Sequence, residues 1–202
     1  MEKENFVRFV GKVTARSRNA LLKATDSAVR DRVSRLHLMM SSQGGNVELA
    51  VSLYNYMRGA PVEIHTYNFG LVSAAGFLVF CAGAKRFCTP HARFVVGCAD
   101  VAVQPNTRLD EAGLEAALRG LRMDQDRMAA VLAEVTGRAL SKVTADVKAE
   151  VVLDPEKALD YGLVHEIRPV LFPPGAVPYA ISETGDYGPS AGSGEPGWGE
   201  GA

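Results

Sequence analysis

The sequence predicts an α/β fold, and three observations predict it. Strand-like and helix-like apolar periods alternate along the chain, a Gly-Gly turn joins one strand to the helix after it, and a wholly apolar small-residue helix follows the next strand. At 202 residues the chain is long enough to bury the core of one such domain.

Phe6 to Val13 alternates apolar and polar residues as a half-buried strand does, and 14–32 mixes helix formers with Ser and Asp. Val33 to Met40 (VSRLHLMM) reads as the next strand and ends at Ser41-Ser42-Gln43-Gly44-Gly45, where two glycines open backbone geometry closed to other residues. Asn46 is placed to cap a helix whose Val47, Ala50, Leu53 and Met57 recur at helical spacing, with Gly59 just past its end. Val62 to Tyr67 is a strand that Gly70 breaks, and Ser73 to Ala82 suits a buried helix.

Arg86–Thr89 and Arg93–Gly97 are short strands separated by Pro90, as a hairpin or as successive edge segments. From Asp110 to Thr136, Leu114, Leu118, Leu121, Met128, Val131, Leu132 and Val135 keep a near-helical repeat that Gly137 stops; such a helix runs about 40 Å. Asp154-Pro155 starts a short helix, Gly162 stops it, and Leu163–Ile167 closes the fold as a strand. From Pro173 onward Pro, Gly, Ser and Glu dominate, so 1–179 is expected as the folded domain and 180–202 as a flexible tail.

Composition narrows the function classes. Twenty-two basic against 23 acidic residues leave no charge excess for nucleic acid or an anionic membrane, and no apolar run has the length of a membrane span. The first residues, MEKENFVRFVGKV, lack the apolar core and small-residue cleavage site of an export signal. Cys81, Cys88 and Cys98 have no metal-ligand spacing and read as buried free thiols in a reducing cytoplasm. Neither a metal nor another cofactor is expected.

The motifs say more than the class. Ser41-Ser42-Gln43-Gly44-Gly45 resembles the Asn-Ser-Pro-Gly-Gly turn of the Clp peptidase family. GLVSAAGFLVFCAGAKRFCTPHARFVVG, residues 70–97, is similar to that family's nucleophile-helix and histidine-strand segment, with its Ala-Gly-x-x-Arg-Phe/Tyr run. Arg127–Val143, containing VLAEVTGR, resembles the handle helix and its Thr-Gly turn, and KALDYGLVHEI resembles the closing Glu-Ala-x-x-Tyr-Gly-Leu-Val-Asp segment. The resemblance spans about residues 30–168, and it implies the βαβ spiral of the Clp peptidases and their crotonase-like relatives, with a protruding handle helix.

It also implies where a Ser-His-Asp triad should lie. Counted without gaps from Gly70 to Gly83, the nucleophile position falls on Ala74, whose methyl group cannot attack; a register moved by one residue puts Ser73 there, where a serine also suits a helix N-cap. The histidine position falls on Gly97 and the acid position on Glu150. The backbone N–H groups of Gly44, Gly45 and Ala75 fall where the family builds its oxyanion hole. His91 lies six residues short of the base position, and His37, His65 and His165 do not replace it by spacing. Cys98 has no visible base to ionise it as a substitute nucleophile.

The favoured reading is a ring subunit without an intact triad, joined to copies of itself or to other Clp-type subunits through the apolar stripe of residues 114–135, with an ATP-driven unfoldase as a further partner. Two others stay open: an active serine endopeptidase cleaving peptides with Ser73, served by His91 or a rearranged strand, and a crotonase-like enzyme acting on acyl-thioesters. An engineered loss of serine would explain Ala74 but not Gly97.

Overall fold

Three strand-helix units in succession build the frame on which the rest is hung. The computed structural model describes residues 3–97 and 108–187. Strand β1 (Glu4–Val10) is followed by helix α1 (Ala15–Arg30), β2 (Arg35–Ser42), α2 (Val47–Gly59), β3 (Glu63–Ser73) and α3 (Ala74–Cys81). The three strands are parallel neighbours, Phe6 beside His37 and His37 beside His65. Asn46 caps α2 as expected, accepting from the Leu49 N–H, and α1 opens on a reciprocal capping box between Thr14 and Ser17.

Gly70 does not break its strand. β3 runs unbroken through it and carries the irregularity itself: Met40 pairs with Asn68 and Ser42 with Val72, so Phe69, Gly70 and Leu71 stand opposite Ser41 alone. A Cβ on Gly70 would come 2.8 Å from the Ser41 hydroxyl oxygen, so this glycine serves close approach rather than termination. The two segments around Pro90 are not a hairpin either. β4 (Lys85–Cys88) and β5 (Arg93–Val95) both pair parallel to β3, β4 beside His65–Asn68 and β5 beside Leu71–Ser73.

Helix α4 (Glu111–Thr136) is capped by Asp110 and ends at Gly137 in the left-handed conformation; its 26 residues span about 39 Å. Only its C-terminal half joins the core, through Met128, Ala129 and Leu132, while Leu114, Leu118 and Met123 are exposed. The turn at Gly137 leads into α5 (Leu140–Lys148), β6 (Val152–Leu153), antiparallel to β5, and α6 (Pro155–Asp160), capped by Asp154. The closing strand is shorter than expected: β7 covers Glu166–Ile167 and pairs with β4.

The chain does not finish there. β8 (Tyr179–Ser182) adds to β1 in parallel, and β9 (Gly185–Tyr187) turns back on β8, so the boundary expected at 180 falls inside a strand. Residues 188–202 lie outside the described residues. The sheet order is β6-β5-β3-β2-β1-β8-β9, with β4 on β3 and β7 on β4.

The main core packs Leu38, Met40, Leu53, Phe80, Phe94 and Leu132 between the sheet and its helices. A smaller cluster, Met39, Tyr67 and Phe87, sits on the other face beneath Phe6, Leu171 and Phe172. This explains why β2 is almost continuously apolar: it is buried on both faces. No helix among the described residues is long and apolar enough to cross a membrane.

Candidate active site

The site forms where the C-terminal ends of β2, β3 and β5 meet, the usual place for chemistry in a parallel sheet. After β2 the chain turns through Gly44 and Gly45, whose φ angles of 118° and 119° are open to glycine alone without strain. The two face different ways. A Cβ on Gly44 would stand 2.8 Å from the Ala74 methyl group and 3.8 Å from the Ala75 nitrogen, which places this turn against the start of α3. Gly45 is instead docked on Val13, where a Cβ would overlap the Val13 backbone.

Ala74 and Ser73, the two registers that the sequence leaves open, differ in their backbone. Ala74 is a non-glycine residue at φ 46°, held at a sharp strand-to-helix turn between β3 and α3. Such a conformation costs roughly 1–2 kcal/mol and is the strained geometry that presents a nucleophile above a sheet. Ser73 lies one residue earlier on ordinary extended backbone, paired with Val95 and 6% exposed, and its side chain makes no cap hydrogen bond to α3.

The Ala74 N–H donates to the Gly97 carbonyl at 3.1 Å, so the two positions stand side by side. Gly97 is buried at φ 96°, and a Cβ there would overlap the Val147 carbonyl oxygen and lie 3.0 Å from its carbon. No imidazole fits at this position while α5 keeps its place. One residue earlier, the Val96 N–H donates to the Val151 carbonyl, which brings the Glu150 segment alongside. Glu150 itself is exposed at φ 49°, and its carboxylate makes no hydrogen bond or ion pair among the described residues.

The carboxylate that is buried nearby is one the sequence does not advertise. Asp146 accepts from the Tyr161 hydroxyl at 2.9 Å and from the Lys142 ammonium at 2.8 Å. Burial alone would push its carboxyl up, but the bonds from Lys142 and Tyr161 outweigh it and hold the group below the usual range. It is fully occupied in tying α5 to the turn after α6. Its signal was only helical spacing: Lys142 and Asp146 stand four apart on one helix.

The histidines are elsewhere. His37 and His65 are neighbours near the start of β2 and β3, and Ser73 lies eight steps further along β3 than His65, about 26 Å away. His37 lies between Phe6, stacked 4.7 Å away, and the Tyr67 hydroxyl, 2.9 Å from Nδ1; burial pushes its pKa down to about 4. His165 accepts the Arg86 N–H at 3.0 Å, and His91 is exposed in the turn before β5. Burial pushes the Cys81 thiol up to about 12 and Cys88 up to about 11, so neither ionises near neutral pH. Cys98 lies outside the described residues. Among the described residues no group of three or more His, Cys, Asp or Glu is arranged to hold a metal ion.

A family model described as Clp protease matches residues 2–169. The chain belongs to the Clp protease family. Its curated Clp relatives include ATP-dependent Clp protease proteolytic subunit 3 of Rhizobium etli, 30% identical over 152 residues, 73% of this chain and 72% of that protein. ATP-dependent Clp protease proteolytic subunit 2 of Corynebacterium efficiens is 29% identical over 151 residues, 73% of this chain and 71% of that protein. Among solved structures, ClpP1 from Listeria monocytogenes matches at a TM-score of 0.68 and 22% identity, covering 81% of this chain and 91% of that one. A point mutant of that same ClpP1, with an aspartate in place of an asparagine, matches at 0.71 and 21%, covering 84% and 92%. The Clp fold implied by the motifs of residues 30–168 is therefore the fold of this chain.

Proposed function

We propose that this chain is a Clp-type ring subunit that has lost the Ser-His-Asp triad and serves assembly rather than cleavage. The observation that carries this is the adjacency of Ala74 and Gly97: the strained turn residue offers a methyl group where a hydroxyl is needed, and the neighbouring position is closed by Val147 where an imidazole is needed. Glu150, with no histidine to orient, is a solvated charge. The Gly44 turn still stands against Ala74 and Ala75, which supports retention of the backbone from which the family builds its oxyanion hole.

The assembly half of the proposal is supported by α4. Leu114 and Leu118, four residues apart on one face of its N-terminal half, are 58% and 45% exposed, an apolar surface that a facing subunit would cover. The relatives are named as ATP-dependent proteolytic subunits, and by that similarity the proposed partners are further copies or other Clp-type subunits, with an ATP-driven unfoldase and the peptide it delivers. A cytoplasmic location belongs to the same proposal. The crotonase-like alternative has less support, because the matching family model is that of the proteases.

A peptide-cleavage assay tests the proposal. With a fluorogenic peptide, wild type and Ser73→Ala are expected to show the same background rate. Turnover by wild type that Ser73→Ala abolishes would make Ser73 a working nucleophile and overturn it.

A further inference from the structure

The C-terminal hairpin reaches back to the site described above through one residue. β8 and β9 are joined at Ser182 and Gly185, which leaves Glu183 and Thr184 as a two-residue turn. That turn lies on the segment between β1 and α1. The Lys12 N–H donates to Glu183 Oε2 at 3.0 Å, and the Thr14 hydroxyl donates to the Glu183 carbonyl at 3.0 Å. Arg16 adds a longer bond to the Thr184 carbonyl. At Gly11 a Cβ would stand 3.1 Å from the Glu183 Cβ, so the approach is close on that side as well.

Val13, between Lys12 and Thr14, faces the other way. Its N–H donates to the Gly44 carbonyl at 2.7 Å, and its carbonyl accepts from the Asn46 N–H at 2.9 Å. Gly45 lies flat against it. The glycine turn therefore rests on Val13 on one side and on Ala74 on the other, and the residues flanking Val13 are both tied to Glu183.

We infer that Glu183 is a positioning residue for the Gly44-Gly45 turn: the hairpin clasps Lys12 and Thr14 and so holds Val13 against the turn. An extended segment has freedom to shift along its length, and hydrogen bonds on both sides of one residue remove that freedom. The hairpin thereby couples the C-terminal end of the sheet to the backbone donors beside Ala74. This holds whether or not the site cleaves peptides.

Residue-resolved amide exchange of the full chain by NMR tests it, with Glu183→Ala and Glu183→Gln compared with wild type. Glu183→Ala removes the acceptor for Lys12; the Val13 and Asn46 amides are then expected to exchange roughly three- to tenfold faster together, the range one such bond gives. Ile64 to Tyr67 in β3 should keep their rates. Glu183→Gln retains a side-chain carbonyl and should restore Val13 and Asn46 to near wild type. Faster exchange at Val13 with none at Asn46, no change at either, or equal acceleration in β3 would each overturn the inference.

Discussion

The backbone of Gly97 lies against the carbonyl of Val147, and no side chain fits between them. The contact joins the segment after β5 to the end of α5, and Val96 and Val151 bond across the same seam. Gly97→Ala must therefore either displace α5 or force a methyl group into the carbonyl while also holding φ near 96°. Overpacking and left-handed strain together are expected to cost about 2–5 kcal/mol. The urea midpoint checks it, and a variant as stable as wild type would mean that α5 moves aside freely.

Arg86 is the buried cation that ties three turns together. It donates to the carbonyls of Leu163, Gly83 and Val135, with a longer bond to Gly162, and it is 5% exposed. Arg86→Met keeps much of the volume but leaves these acceptors unpaired, an expected loss of about 3 kcal/mol. Arg86→Lys should not restore it, because a single ammonium cannot span the fork. Equilibrium unfolding of the two variants measures both effects.

His37 makes stability depend on pH in a defined window. Its folded pKa, about 4, lies below the ordinary 6.5, with burial as the largest cause. Glu4, 3.4 Å from Nε2, opposes that shift, whereas His65 and Arg35 add to it; Tyr67 and Phe6 fill the remaining sides. The unfolded chain takes up the proton first as pH falls. Stability is thus fully present above about pH 6.5 and is lost progressively toward pH 4, by on the order of 2–3 kcal/mol. His37→Gln should flatten that interval in a series of urea titrations. An unchanged slope would show that other groups carry it.

The elements that propensity and spacing specify were legible. Asn46 and Asp154 cap the helices they precede, and the glycine turn stands where Gly44-Gly45 predicted it. What tertiary pairing decides was not. β3 continues through Gly70 because it bulges there against β2 instead of ending, and β8 forms from a Pro- and Gly-rich stretch because β1 offers an open edge. In the site, Ala74 and Gly97 were legible as residue types, but the strain at one and the closure of the other were not. Both arise from backbone packed against backbone, which leaves no periodicity or motif to read. The same holds for Asp146, whose burial depends on Tyr161, fifteen residues away in sequence.

The most direct test of a non-catalytic site is labelling by a fluorophosphonate followed by intact-mass analysis, because it requires an activated serine and no knowledge of the substrate. With Ala74 at the turn and Gly97 closed by Val147, the wild-type chain is predicted to keep its unmodified mass while an active Clp peptidase in the same experiment gains the adduct. An adduct on this chain, mapped to Ser73, would contradict the account and identify a working peptidase whose base lies outside the positions described.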